Sequence, residues 1–249
     1  MKAMVLAAGL GTRLRPLTGE RPKALLQIEG RTLLEMTLAR LRSIGIREVI
    51  VNVHHFGDMV VEYLQANRNF GMRIEISRED VLLDTGGGLK QTSWFFLENP
   101  AERDQPFVLH NVDVLSTIDL NRMVQFHIEH KALATLAVQK RRSSRYLLFD
   151  DRLQFCGRQI EKGKTTEPAR PVEKMERLAF CGIHVVSSRL FSLLTEEGAF
   201  SIIDSYLRLA THKERILACR ADDYYWRDLG TPDNLKQAAE DLRRRIVPL

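Results

Sequence analysis

The chain has 249 residues and a mass of 28.6 kDa, 44% hydrophobic and 28% charged, enough to bury roughly 70–75% of its surface and to exclude disorder as the dominant state. Lys and Arg number 37 against 32 Asp and Glu, with a pI of about 9.2. That excess favours phosphate-bearing ligands only mildly and is too small to mark a nucleic-acid binder. Cys156, Cys181 and Cys219 share no metal-ligand spacing and read as reduced thiols of a cytoplasmic protein. The apolar stretch 4–10 is too short for a membrane span and no cleavage site follows it.

In chain order, residues 3–8 form an apolar run that Gly9 and Gly11 end, a buried strand entering a tight turn. Leu33, Leu34, Met36, Leu38, Leu41 and Ile44 predict an amphipathic helix over 32–44, closed by Gly45. A β-branched strand follows at 48–53, a helix at 59–67 and strands at 72–77 and 107–111. A helix at 119–130 and a strand at 132–139 complete a half with βαβ spacing, which implies a largely parallel sheet covered on both faces. Residues 141–177 change character: polar, with Pro168 and Pro171, and with strand-like pieces at 146–149 and 153–156, they suggest a hairpin and a charged excursion. Beyond it come a strand at 178–186, helices near 189–194 and 201–211, and strands at 215–219 and 225–226. A closing helix runs over 232–245, with Thr231 as cap and Pro232 in its first turn. No repeat or composition break divides the chain, so one domain over 1–249 is expected. Its halves are 1–140 and 141–249.

Gly9-Leu10-Gly11-Thr12-Arg13-Leu14 follows the first strand, where a doubly wound fold places phosphates. Leu14 stands where a dinucleotide fingerprint needs its third glycine, and Thr12-Arg13 replaces the Lys-Ser/Thr of a Walker loop. A loop of exposed amides with Arg13, Arg15 and Lys23 behind it suits a polyphosphate leaving group. The same pattern also suits a tight turn with surface charges.

Ala7-Ala8-Gly9-Leu10-Gly11-Thr12-Arg13-Leu14-Arg15-Pro16-Leu17-Thr18, then Arg21-Pro22-Lys23, resembles the opening signature of the sugar-1-phosphate nucleotidyltransferases, or nucleotide-sugar pyrophosphorylases. The resemblance continues along nearly the whole chain. It is strongest with the compact branch that includes mannose-1-phosphate guanylyltransferase-like and N-acetylmuramate-1-phosphate uridylyltransferase-like enzymes. It implies a Rossmann-like three-layer α/β/α sandwich with a mainly parallel sheet, of the nucleotide-diphospho-sugar transferase type. It also implies that Gly9, Gly11, Thr12 and Arg13 hold the triphosphate, that Ala8 binds the nucleotide near its base, and that Lys23 binds the phosphates and stabilises departing pyrophosphate. Asp84-Thr85-Gly86-Gly87-Gly88 resembles the family segment beside the base and ribose, where Thr85 and Gly88 would approach a flat ring; a flexible turn before a helix reads as well. Asn111-Val112-Asp113 and Trp226-Arg227-Asp228-Leu229-Gly230-Thr231 resemble the two metal-aspartate motifs, making Asp113 and Asp228 the implied Mg²⁺ ligands and placing Asn111 with the nucleotide. Val112 departs from the usual small residue and either narrows the ribose space or points into the core.

Phe180-Cys181-Gly182-Ile183 resembles the strand next to the sugar, with Gly182 near the hexose and Cys181 as packing. The family's Glu-Lys pair for the sugar phosphate has two counterparts, Glu173-Lys174 and Glu161-Lys162, with the former nearer in order. Arg145 and His184 are reserves. The implied reaction is Mg²⁺-dependent transfer of a nucleoside monophosphate from an NTP to a sugar 1-phosphate. A non-sugar acceptor such as phosphocholine, or a non-catalytic regulatory module, is the alternative. His54 and His55 end a strand and could line the pocket. His127 and His130 read as a solvated helix face; Trp94, Phe95 and Phe96 read as helix packing. The basic runs 140–142 and 243–245 lack interleaved aromatics and read as a loop and a solvated helix end, so nucleic acid and membrane are excluded as partners. A monomer or a homodimer fits the absence of a continuous apolar stripe. After Thr231 only one helix is expected, with no β-helix extension.

Overall fold

The computed structural model of the chain describes residues 1–99, 105–160, 165–170 and 174–247. Its strands are β1 (Lys2–Leu6), β2 (Gln27–Ile28), β3 (Arg31–Thr32), β4 (Glu48–Val53), β5 (Arg73–Arg78), β6 (Pro106–Asn111), β7 (Val114–Ser116), β8 (Ala134–Gln139), β9 (Arg145–Phe149), β10 (Phe155–Ile160), β11 (Thr165–Pro168), β12 (Glu176–Ser187), β13 (Ile216–Arg220) and β14 (Trp226–Asp228). The helices are α1 (Leu33–Ser43), α2 (Gly57–Ala66), α3 (Asp84–Gln91), α4 (Ser93–Leu97), α5 (Leu120–Glu129), α6 (Ile202–Thr211) and α7 (Pro232–Arg243). Side-chain caps fix several helix starts. Thr32 Oγ1 accepts from Glu35 N, Asp119 Oδ1 from Arg122 N and Thr231 Oγ1 from Asn234 N.

β5, β4, β1 and β6 lie side by side and parallel. β12 pairs antiparallel with β6 on one edge and with β8 on the other, and β13 is parallel to β8. Six strands therefore run one way, with β12 alone reversed among them. The N-terminal end of β12, Glu176 to Leu178, leaves that arrangement and pairs with β9 of a β9–β10–β11 antiparallel flap. The first two flap strands match the expected hairpin, and β11 adds a third.

Alternate strand residues feed two apolar layers, as a period of two requires. Ala3, Val5, Val49, Val51 and Val108 face α1, α2, α5 and α7, whereas Met4, Ile50, Phe107 and Leu109 face α3, α4 and α6. This is the expected three-layer sandwich. Leu14, in the missing glycine's place, is wholly buried in the first layer. Among the described residues no helix is long and apolar enough to cross a membrane.

Three local expectations change. Gly86, Gly87 and Gly88 lie inside α3 rather than in a turn before it. Residues 188–193 form a 3₁₀ helix. His127 is buried, its Nδ1 3.0 Å from Thr135 Oγ1 on β8, so that part of the helix face is not solvated. In α4, Phe95 and Phe96 pack inward as expected while Trp94 stays half exposed.

Candidate active site

The C-terminal ends of β1, β4 and β6, with the turns beyond them, wall a cavity of about 610 Å³. β1 sits between β4 and β6, so the cavity opens at the switch point where a doubly wound sheet leaves a crevice. The chain leaves β1 through Ala7, whose N–H donates to Asn52 Oδ1 at 2.7 Å. Asn52 Nδ2 donates to Glu79 Oε1 at 2.7 Å, and Glu79 Oε2 accepts from Leu83 N at 2.9 Å. Asn52 and Glu79 are buried and both reach the cavity wall. Their hydrogen bonds satisfy a carboxylate that has no cation partner among the described residues. Gly11, in the left-handed region, turns the chain into a single 3₁₀ turn carrying Thr12 and Arg13; Thr18 Oγ1 donates to its carbonyl. Ala8, Gly9, Gly11, Thr12, Arg13, Lys23, Thr85, Asn111 and Asp113 all line this cavity.

A second cavity, of about 430 Å³, shares Arg13, Asn111 and Asp113 with the first and adds Arg141, Arg145, Phe180, Gly182, Trp226 and Asp228. Gly182 takes φ +72° at an irregularity in the β12–β8 ladder, and a Cβ there would lie 2.9 Å from Val114 Cγ2 and 3.0 Å from Asn111 Nδ2. Both the backbone and the space select glycine. Trp226 Nε1 donates to Cys181 O at 2.8 Å. The Arg141 guanidinium lies 3.6 Å over the Trp226 ring and donates through Nη2 to Phe180 O at 2.7 Å. Burial of Cys181 pushes its thiol up to about 12, so it is packing rather than a nucleophile.

β14 pairs with β7 so that Asp228 stands opposite Val114, and Leu229 N donates to Asp113 O at 2.8 Å. A two-stranded ribbon thus delivers both aspartates to one cavity. Lys23 forms an ion pair with Asp113 through Oδ2. Asp228 Oδ1 accepts from Gly230 N at 2.5 Å. A Cβ on Gly230 would lie 2.5 Å from both Arg13 Nη2 and Asp228 Oδ1, so this glycine lets Arg13 lie alongside that carboxylate. Asn111 Oδ1 is buried and without a partner. Two carboxylates and an unpaired amide oxygen form a hard-oxygen donor set that fits a Mg²⁺-type cation retaining waters and phosphate ligands. No cluster of three or more His, Cys, Asp or Glu groups suited to a metal occurs among the described residues.

A family model described as Nucleotidyl transferase matches residues 2–245. The chain belongs to that family. Over 101 residues it is 48% identical to the N-acetylmuramate alpha-1-phosphate uridylyltransferase of Caulobacter vibrioides, a match covering 39% of this chain and 42% of that one. The D-glycero-alpha-D-manno-heptose 1-phosphate guanylyltransferase of Aneurinibacillus thermoaerophilus is 28% identical over 247 residues, 99% of this chain and all of that one. Among solved structures, HddC from Yersinia pseudotuberculosis in complex with GMP-PN superposes with a TM-score of 0.75 at 18% identity, over 97% of this chain and 99% of that one, which bears on fold alone.

Of the positions singled out in the sequence, Gly88, Lys174 and Arg15 fall away from both cavities. Gly88 is buried behind the first cavity's wall, where its missing Cβ makes room for Glu79 and Asn52. Lys174 is exposed and lines neither cavity. Arg15 faces an outer groove with His55. Glu173, Glu161 and Lys162 lie outside the described residues. His54 Nδ1 is tied to the Glu79 carbonyl. His184 is buried against Tyr206 OH at 3.2 Å, so of the two reserves only Arg145 reaches a cavity. Val112 is buried in the core yet also touches the first cavity. Sequence reasoning missed Asn52, Glu79 and Arg141. A lone Asn in the apolar strand 49–53 is the signal for the first, since a buried amide demands partners.

Proposed function

We propose that the protein transfers a nucleoside monophosphate from a nucleoside triphosphate to a sugar 1-phosphate, releasing pyrophosphate. The observation that carries this reading is that two neighbouring cavities share Arg13, Asn111 and Asp113 in their walls. One has the amides and cations for a triphosphate, the other an aspartate and a glycine-lined wall for the acceptor. An acceptor phosphate oxygen, already ionised at neutral pH, forms a bond to the α-phosphorus as the α–β P–O bond breaks. Pyrophosphate leaves with the bonding pair, so no general base is needed.

In this reading the backbone around Ala8, Gly9, Gly11 and Thr12, with Arg13, aligns the triphosphate and offsets charge on the leaving group. Lys23, held on Asp113, places a second cation beside the same phosphates. Thr85 and Asn111 border the nucleoside, and Gly182 borders the sugar. Asp113 and Asp228, with Asn111 Oδ1, would hold a divalent cation, which when bound would supply positive charge to offset that of the phosphates. Lys174 lines neither cavity. The three free, buried cysteines support work in a reducing, cytoplasmic setting.

The experiment is pyrophosphate release with Mg²⁺ across the four nucleoside triphosphates, each against a panel of sugar 1-phosphates and phosphocholine. Release that needs both a triphosphate and a sugar 1-phosphate is the expected result. Triphosphate binding with no release under any pairing would overturn the reading in favour of a regulatory module.

A further inference from the structure

The cations around the second cavity exceed what a 1-phosphate would engage. On the far side of Arg141 a cleft of about 450 Å³ opens, lined by Lys140, Arg142, Tyr146, Glu176 and Arg177 as well as by Arg141. It shares no residue with the first cavity. Glu176 is the one carboxylate on its wall, and its Oε2 is taken by Arg220 at 2.7 Å. Asp222, nearby, accepts from Arg220 and from the Lys140 backbone N–H. Lys140, Arg141, Arg142, Arg145 and Arg177 thus make no ion pair with any carboxylate among the described residues. A concave wall on which unpaired cations outnumber its single, already paired carboxylate concentrates potential toward an anion.

The wall is also held in shape. Arg141 is fixed between the Trp226 ring and Phe180 O, and its Nε is buried without a partner. The Arg177 guanidinium sits 5.3 Å from the Tyr146 ring centroid, and Tyr146 OH accepts from Ser143 N at 3.0 Å. Arg141 is the common wall of the cleft and the second cavity. Arg142 and Arg177 line the cleft beside Arg141.

We propose that the acceptor is an acidic sugar 1-phosphate, whose ring carries a second anionic group, carboxylate or phosphoryl, seated in the cleft of Arg141, Arg142 and Arg177. The inference rests on the transfer reading and narrows its substrate class.

The test compares acceptors in pairs that differ by one anionic group. The pairs are glucuronate 1-phosphate against glucose 1-phosphate, glucose 1,6-bisphosphate against glucose 1-phosphate, and N-acetylmuramate 1-phosphate against N-acetylglucosamine 1-phosphate. The acidic member of at least one pair should show kcat/KM higher by roughly ten- to a hundredfold, the range of one or two charge-assisted hydrogen bonds. That preference should shrink as salt is raised. Which pair shows it distinguishes carboxylate from phosphoryl. In Arg142→Ala and Arg177→Ala, two surface changes, the acidic-to-neutral ratio should fall about tenfold through KM rather than kcat. Neutral acceptors used as well as their acidic partners overturn the inference and leave transfer standing. An acidic preference unmoved by both substitutions overturns the assignment to this cleft. Silence with every acceptor removes the transfer reading and the inference with it.

Discussion

Gly88→Ala separates two opposed effects by sign. In a solvent-facing helix the exchange would raise stability by about 1 kcal/mol through helix propensity. Here the new Cβ would lie 2.6 Å from Glu79 Oε1 and 2.9 Å from Asn52 Nδ2, where ordinary contact begins at 3.4 Å. Glu79 cannot swing aside freely, because Oε1 holds Asn52 Nδ2 and Oε2 holds Leu83 N. Asn52 is tied in turn to Ala7 N. Overpacking of about 1–3 kcal/mol and a weakened buried hydrogen bond of about 1–3 kcal/mol outweigh the propensity gain, for a net loss of about 2 kcal/mol. For a chain of this size that lowers Tm by about 4–8 °C. The turn leaving β1 should shift with Ala7, so triphosphate affinity, measured by titration calorimetry, should fall about tenfold. A variant that melts at or above the parent temperature with unchanged affinity would refute the close-approach argument. Gly87→Ala should cost more, since its Cβ would lie 2.4 Å from the backbone carbonyl of Gly198, which has no side-chain torsion to relieve it.

Asp228→Ala should abolish Mg²⁺-dependent pyrophosphate release while leaving the circular dichroism spectrum and Tm near the parent values. Arg13→Ala should lower kcat by about two orders of magnitude, the usual loss of about 3 kcal/mol for one transition-state donor, with the parent's nucleotide preference retained in the same assay. Burial pushes His110 and His127 down to about 4 and His184 to about 3, against 6.5 for a free imidazole. Because the folded values are depressed, the unfolded chain binds more protons below about 6.5. Stability should be fullest above that pH and fall toward pH 4, by up to about 1.4 kcal/mol per pH unit for each histidine. Urea midpoints at pH 7.5, 5.5 and 4.5 test this, and a flat series would be inconsistent with it. Cys181 should resist alkylation in the native protein at pH 8 and react once unfolded, as mass spectrometry would show.

Local signals carried most of the architecture. α1, α5 and α7 begin at caps visible in sequence, Thr32, Asp119 and Thr231, and most strand patterns fall within a residue or two of the observed bounds, whereas 153–156 stops short of β10, which runs to Ile160. Asp113 and Asp228 were legible as motifs 115 residues apart, but their approach depends on the pairing of β14 with β7, which neither segment encodes alone. The triple glycine reads locally as a flexible turn. Its helix is held by tertiary contacts, with Gly86 N and Gly87 N donating to Phe200 O at 2.9 and 3.3 Å. His127 looks solvated by helical spacing until β8 is laid beneath it. The run 140–142 reads as a charged loop, and only the return of β12 beside it turns those charges into the wall of a cleft.

The reversed strand β12 has a further corollary. Its C-terminal stretch, Ile183 to Ser187, is laddered to β6, whose end carries Asn111 and, just beyond, Asp113. Its N-terminal stretch is laddered only to the β9–β10–β11 flap and to β8. Insertion, deletion or charge exchange in the flap would therefore leave the register between β12 and β6 undisturbed. On the proposed reading, the acceptor wall is then free to vary while Asn111 and Asp113 keep their places.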